Sequence, residues 1–533
     1  MKVAIMSRYN NSINAGYPSN TVFVIIFICS LVCSSIPPVE NASILAVQIV
    51  PAKSHWNFMN SILRALTERG HHVTVFTPFS DGGDRDNYTE VDTSGQFPTL
   101  LEMDLADTLI RKSRPTSMVK VAQALGTNTC DIIYANDRLK EIMRNDGQPI
   151  FDLIVTETLG SDCVSYLSIK LNLPTVHLIA SPMITYAERS LLGHIPNPAT
   201  VSHSYYYKAR PKTFSDRLHN TALSTYSVLY FGFREWTVKF TNPKPYNSIA
   251  RPVQASLLFV NSHYISEPSR PFPPTVVQVG GIHLKPPKSL PKDILEFIEN
   301  SPNGVILFTF GSTIKVSSIP EHIMNIFKNA LARVPQRILW KYEEEMKNKP
   351  KNVMIAKWLP QRDILMHPNV KLFISHGGIS GLYETVDAGV PVLGIPLYYD
   401  QPKNIDNLVN AGMAISMDIL SVREDTFLRN VLELVNNITY VENAKIASEQ
   451  FKDRPMSPDN SVVYWTEYVI RHKGAPHLKS HALNISWYQY LLLDVMTVII
   501  GFVAVILFVL YTVLKNINHY IVQFKLKTKT KSD

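Results

Sequence analysis

The chain has 533 residues, a length that suits two or three domains, each large enough to bury a core. Its 45% apolar and 18% charged content is ordinary for a globular protein, slightly enriched by apolar segments. Of the net charge of +8, half belongs to the segment after Leu514, where Lys515, Lys525, Lys527, Lys529 and Lys531 face only Asp533; no basic patch interleaves with aromatics, so nothing points to nucleic acid.

Four cysteines exclude a disulfide framework, and their spacing offers no metal site. Cys29 and Cys33 lie in an N-terminal apolar run. Cys130 and Cys163 are left either to form one bridge or to stay as buried thiols.

From the N-terminus, Thr21 to Cys33 is a short apolar run after Lys2 and Arg8, with small residues at Ser34 and Ser35. It fits a secretory signal peptide over 1–35 and is too short to span a bilayer; an uncleaved anchor is the alternative. Ile44 to Val50 reads as a strand buried on both faces. A loop with Pro51 and Ser54 follows, then a helix from about Asn57 to Arg69, closed by Gly70. His72–Phe76, Phe151–Thr156 and Thr175–Ile179 repeat the strand signal. Residues 185–250 are aromatic-rich and less regular, an insertion with helical character that could contact membrane or acceptor.

A second set of strand candidates comprises Leu257–Val260, Val305–Phe310, Gln336–Tyr342, Asn352–Ala356, Leu372–Ser375 and Val392–Ile395, with helical patterns at Ile319–Arg333 and Gly381–Ala388. Between the sets, proline-rich 271–291 reads as a linker. The alternation predicts an α/β chain with two doubly wound Rossmann-like domains, 36–270 and 292–480, facing a cleft.

Val495 to Leu514 carries no charge and, at 1.5 Å per residue, spans ~30 Å, the thickness of a hydrocarbon core. Trp487, Tyr488, Tyr490 and Tyr511 flank it as interfacial belts do, so a transmembrane helix is expected within 490–514. The lysines of 515–533 then make the tail cytoplasmic and the domains lumenal. Lys529 and Lys531 are spaced like a dilysine retrieval signal of the endoplasmic reticulum, against the plainer reading of a basic tail facing lipid. Sequons at Asn87, Asn437 and Asn484 fall on the lumenal side.

The chemistry concentrates between Trp358 and Gln401. A strand ending at Ser375 runs into His376-Gly377-Gly378, and a helix starts near Ser380. Glycines permit a tight turn, and the helix start presents N–H groups and a positive dipole end to phosphate oxygens. Glu384, two turns on, can accept from ribose hydroxyls. Trp358 offers a flat face to a base and Gln361 an amide to its edge. Asp400 and Gln401 follow a strand end, where ligands of open α/β sheets sit.

In this order and spacing, these residues resemble the signature of the UDP-glycosyltransferase family, whose animal members include the UDP-glucuronosyltransferases. The resemblance implies a GT-B fold, a UDP-sugar as co-substrate, inverting transfer, and no metal or other cofactor. It assigns Trp358 and Gln361 to uracil, Glu384 to ribose, Ser312, His376 and Gly381 to the diphosphate, and Asp400 and Gln401 to the sugar, with Gly378 also in the donor site. Ser380 stands where many relatives have asparagine, and Lys341 where they have arginine, whose bidentate contact lysine cannot make. His55, in Ser54-His55-Trp56, matches the catalytic histidine, a general base for an acceptor hydroxyl. Its carboxylate partner is expected to be Glu157, where many relatives have aspartate, with Asp162 as second choice.

The expected activity is transfer of glucose or glucuronate to small lipophilic acceptors, as in detoxification. A transferase acting on membrane lipid or protein, or an inactive member binding hydrophobic ligands, are the rival readings. Near Leu257–Val260, where glucuronate users tend to place an arginine, the chain has Asn261 and Ser262, so UDP-glucose stands at least level with UDP-glucuronate. A homo-oligomer is open to the chain, but nothing in the sequence supports it.

Overall fold

The computed structural model describes residues 39, 41–82, 85–96, 129–144, 150–157, 164–241, 243–246, 253–312 and 314–529. The expected signal peptide, Asp162, Cys163 and Lys531 lie outside them. Cys130 is buried and disulfide-bonded.

The first half builds β1 (Ser43–Val47), α1 (Lys53–Glu68), β2 (His72–Thr77), β3 (Tyr88–Asp92), β4 (Leu153–Glu157), β5 (Thr175–Ile179), α2 (Glu188–Leu192), α3 (Phe214–Thr241), β6 (Leu257–Val260) and β7 (Val276–Gln278). These strands form one parallel sheet in the order β3-β2-β1-β4-β5-β6-β7. The second half builds β8 (Val305–Thr309), β9 (Arg337–Lys341), β10 (Val353–Ala356), α4 (Gln361–Leu365), β11 (Val370–Ser375), α5 (Ile379–Ala388), β12 (Val392–Gly394), α6 (Gln401–Asn410) and β13 (Ala414–Ser416). They form a second parallel sheet, β10-β9-β8-β11-β12-β13.

Both sheets are covered on each face, which is why their strands are continuously apolar. The two-residue period sorts the side chains. Ile44 and Ala46 join one core cluster, and Leu45 and Val47 another. Ile306 and Phe308 point to one side of the second sheet, and Val305 and Leu307 to the other. In each sheet the strand order reverses beside the first strand, between β1 and β4 and between β8 and β11. Crevices outside the carboxyl ends of strands at such switch points are where open α/β sheets take ligands.

Several expected elements shift. α1 begins at Lys53 rather than near Asn57, so His55 lies in its first turn and not in a loop. β6, grouped with the second set of strand candidates although it falls within the first expected domain, 36–270, pairs with β5 in the first sheet. Inside the proline-rich stretch 271–291, β7 adds as an edge strand of three residues, where prolines on its flanks cost no ladder bond. Late in the chain, α7 (Pro458–Arg471) returns to the first half: Val462 and Val469 share a core cluster with Trp56, Phe58 and Ile62 of α1. His71 is buried there, its Nδ1 accepting from the Ala42 N–H at 3.3 Å, whereas His72 is exposed. The chain ends in α8 (Trp487–Tyr490) and α9 (Leu493–Lys529). Within α9, Leu493–Lys527 is long and apolar enough to cross a membrane, with a mean hydropathy of 2.8 in its apolar window.

Candidate functional site

A cavity of about 450 Å³ lies between the carboxyl ends of the two sheets. Its walls carry His55 from one half and, from the other, Ser312, Lys341, Trp358, Gln361, His376, Gly378, Ser380, Gly381, Glu384, Asp400 and Gln401. Residues scattered over nearly 350 positions of sequence are thus gathered at the two switch points.

On the first wall, His55 Nδ1 lies 2.5 Å from Glu157 Oε1. Glu157 is the last residue of β4 and only 3% exposed. Its other oxygen, Oε2, accepts from Gln48 Nε2 at 3.1 Å, and the same amide donates to the Val50 carbonyl at 2.7 Å. Burial pulls the His55 pKa down, but the charge of Glu157 and its hydrogen bond outweigh it, and Asp400 adds in the same direction; the net pKa is raised above the usual 6.5. A ring held at Nδ1 leaves Nε2 as the basic atom.

On the second wall, β11 delivers His376 and α5 starts three residues later. The imidazole packs against two glycines. A Cβ on Gly311 would sit 2.8 Å from its Cε1, and one on Gly378 2.6 Å from its Nε2. Gly311 also has φ +73°, a conformation that favours glycine. Burial and the nearby charge of Lys341 lower the His376 pKa to about 4, so the ring is neutral at pH 7. Its Nδ1 is buried without a partner among the described residues. The open first turn of α5 adds backbone N–H groups at the same place, an arrangement suited to phosphate oxygens.

Gln361, the first residue of α4, donates to Glu384 Oε2 at 2.5 Å. Burial raises the Glu384 pKa to about 7, against the opposing pull of Gln361 and Arg362. Trp358 is 68% exposed although it lines the cavity, so a large aromatic face is bare at the rim. Asp400 Oδ2 accepts from Asn404 Nδ2 at 2.8 Å. Gln401 is more tied than expected: its Oε1 accepts from the Leu397 and Tyr398 N–H groups at 2.9 and 3.2 Å, leaving only the amide nitrogen for a ligand. Lys341 donates to Glu343 Oε1 at 2.9 Å, and Arg362 pairs with Asp387 at 2.8 Å.

Sequence reasoning missed several lining or supporting groups. Ser181 and Tyr399 meet across the cleft at 3.2 Å, and Tyr205 packs on Tyr399 at 5.4 Å between ring centres. Tyr399 has φ +54°, unusual for a bulky residue. Gln48 carried a readable signal: it is the one polar residue in the run from Ile44 to Val50. Asn261 and Ser262, weighed for sugar choice, are buried away from the cavity, and Asn261 Nδ2 donates to the Ala180 carbonyl at 3.0 Å. Of the sequons, Asn437 caps a helix, accepting from the Thr439 N–H at 3.1 Å, and Asn484 accepts from Gln254 at 3.2 Å.

A family model described as UDP-glucoronosyl and UDP-glucosyl transferase matches residues 44–531. UDP-glucosyltransferase 2 of Dactylopius coccus is 38% identical over 498 residues, covering 90% of this chain and 94% of that protein. UDP-glucuronosyltransferase 2B15 of Homo sapiens is 32% identical, covering 86% and 90%. Among solved structures, the glycotransferase of kitacinnamycin aligns over 81% of this chain and 100% of its own, at TM-score 0.52 and 15% identity. Spinosyn forosaminyltransferase does so over 81% and 100%, at 0.51 and 16%. These structural likenesses bear on the fold, two facing Rossmann-like sheets of the GT-B type.

Proposed function

We infer the reaction from one premise: this chain belongs to the UDP-glucuronosyl and UDP-glucosyl transferase family and is a UDP-glycosyltransferase. We propose that it transfers glucose from UDP-glucose, with inversion, to a hydroxyl of a small lipophilic acceptor. The observation that carries this is the His55–Glu157 pair on one wall of a cavity whose other wall holds His376, the start of α5, Glu384 and Trp358.

In this reading UDP lies along the second wall. Trp358 stacks on uracil, with the Gln361 amide at its edge. Glu384 accepts from the ribose, exchanging its bond to Gln361 for ribose hydroxyls. Ser312, neutral His376 and the N–H groups of Gly378 to Gly381 hold the diphosphate, and Asp400 with the Gln401 amide holds the sugar. His55 Nε2 takes the acceptor proton as the acceptor oxygen attacks the anomeric carbon. The bond from that carbon to the UDP oxygen breaks, and UDP leaves with the electron pair. Glu157 fixes the ring and stabilises the imidazolium.

One observation favours glucose, and another a lipophilic acceptor. A glucuronate carboxylate needs a cation, and Lys341 and Arg362, which line the cavity, are each engaged with a carboxylate. Tyr205, Tyr399, Ala52 and Ala180 near His55 give the acceptor side an apolar, aromatic lining. We further propose that α9 anchors the protein in the endoplasmic reticulum with the cleft lumenal, supported by the lysines beyond its apolar core. The deciding experiment incubates the full chain in microsomes with a phenolic acceptor and each UDP-sugar. Product with UDP-glucose supports the reading; exclusive use of UDP-glucuronate overturns the sugar choice; and a His55→Ala variant with undiminished transfer overturns the mechanism.

A further inference from the structure

α3 is a 28-residue helix, ~42 Å long, and among the described residues nothing covers one face of it. Phe214, Leu218, Leu229, Phe233, Trp236 and Phe240 are 72%, 57%, 67%, 61%, 58% and 70% exposed. They recur at helical spacing, with exposed Ala222 and Thr225 filling the turns between. At 3.6 residues per turn, all these positions fall within roughly 100° of the helix circumference, and none is charged. Soluble proteins rarely leave an apolar stripe of this length bare. The opposite side is fixed to the protein. Phe231 stacks on Tyr186 at 4.4 Å, Asn220 Oδ1 accepts from the His203 N–H at 2.7 Å, and buried Asp216 accepts from Lys208 at 2.8 Å.

Three residues beyond Tyr186, Arg189 grips the segment that leads into α9. Its guanidinium donates to the carbonyls of Ala482 and Ile485 at 2.9 and 3.0 Å and lies over the Tyr490 ring at 4.7 Å. Tyr490 OH in turn accepts from the Ile195 N–H at 3.1 Å. α9 starts three residues after Tyr490. Three residues reach at most about 10 Å, so the segment that Arg189 grips lies directly ahead of the point where α9 would enter a bilayer, and the stack of Phe231 on Tyr186 links α3 to it. Lys212 and Arg210 precede the stripe, exposed cations suited to the phosphates of lipid headgroups.

We propose that the uncovered face of α3 lies in the bilayer interface as a second membrane contact. It holds the acceptor side of the cleft, through Tyr186 and Tyr205, against the lipid from which apolar acceptors would enter. This rests on α9 being the anchor, and the test separates the two readings. The full chain is placed in phosphatidylcholine–phosphatidylserine nanodiscs carrying lipids brominated near the top of the acyl chain. Phe233→Cys and Met496→Cys are each labelled with a polarity-sensitive dye, the unsubstituted chain giving the background, and unchanged UDP-sugar turnover confirms folding. The proposal expects a blue-shifted emission and loss of most of the fluorescence at both positions. Quenching at 496 but not at 233 overturns it and leaves the anchor standing, including the case where a second copy of the chain covers the stripe and shields the dye from both water and lipid. Quenching at neither position overturns the anchor and the proposal together.

Discussion

Gln48 and Glu157 meet at the ends of neighbouring strands, the Gln48 amide donating to Glu157 Oε2 at 3.1 Å while His55 lies 2.5 Å from Oε1. Gln48 follows β1 directly and is wholly buried. A glutamate reaches one methylene further than the aspartate of many relatives, and Gln48 limits where that longer arm can go. Gln48→Leu removes the donor and leaves a buried carboxylate oxygen unpaired, at about 1–3 kcal/mol. We expect kcat to fall about tenfold with little change in the KM for UDP-sugar, the pattern of a group that positions the base. Steady-state kinetics on both substrates check this.

His55→Ala should lower kcat by about 10²–10⁴. The pH profile adds a sharper test. A base must be neutral to act, and the His55 pKa is raised, so the acid limb of kcat/KM for the acceptor, at saturating UDP-sugar, should lie above 6.5. Glu157→Gln removes the charge that raises it and should move the limb to lower pH. Treatment with EDTA should leave turnover unchanged, since the proposed mechanism assigns no role to a metal.

Binding of UDP should weaken below neutrality. Glu384, with its pKa raised to about 7, is charged above that pH and accepts from ribose hydroxyls; protonated below it, it loses acceptor capacity. Calorimetric titration with UDP, where no chemistry intervenes, should show Kd rising as pH falls through 7, and Glu384→Gln should flatten that dependence.

Gly378→Ala tests the seat of His376. The added Cβ would sit 2.6 Å from the ring's Nε2, which must move away from the first turn of α5. The KM for UDP-sugar should rise by about tenfold, the equivalent of one lost hydrogen bond to a charged group, while the melting temperature changes little.

Arg270 is buried between Glu188 and Glu267, both themselves buried. Arg270→Ala removes the guanidinium shared by the two carboxylates, leaving Glu188 with only His194 at 2.8 Å, and should cost about 3–5 kcal/mol, read by urea unfolding of the solubilised protein.

The second wall of the cavity was largely legible in the sequence because its residues are local. From Trp358 to Gln401 one strand-turn-helix unit and its flanks supply most of it, and periodicity with glycine and capping chemistry places such units. The apolar runs likewise gave the parallel strands, since a strand covered on both faces has no polar period. Other features depended on chain segments far apart in sequence. Periodicity does not state which sheet a four-residue strand joins, so β6 was misplaced. Nor does it mark a three-residue edge strand among prolines, or show that α7 packs on α1. Whether Glu157 could reach His55, a matter of arm length and strand register, was decided by the pairing of β1 with β4, and so was the part played by Gln48. The sequence by itself determined the kind of ligand and the kind of chemistry, because those follow from residue types at short spacing. Only the tertiary structure decided which side chains are free to act, because hydrogen bonds and burial are properties of neighbours that the chain brings together only on folding.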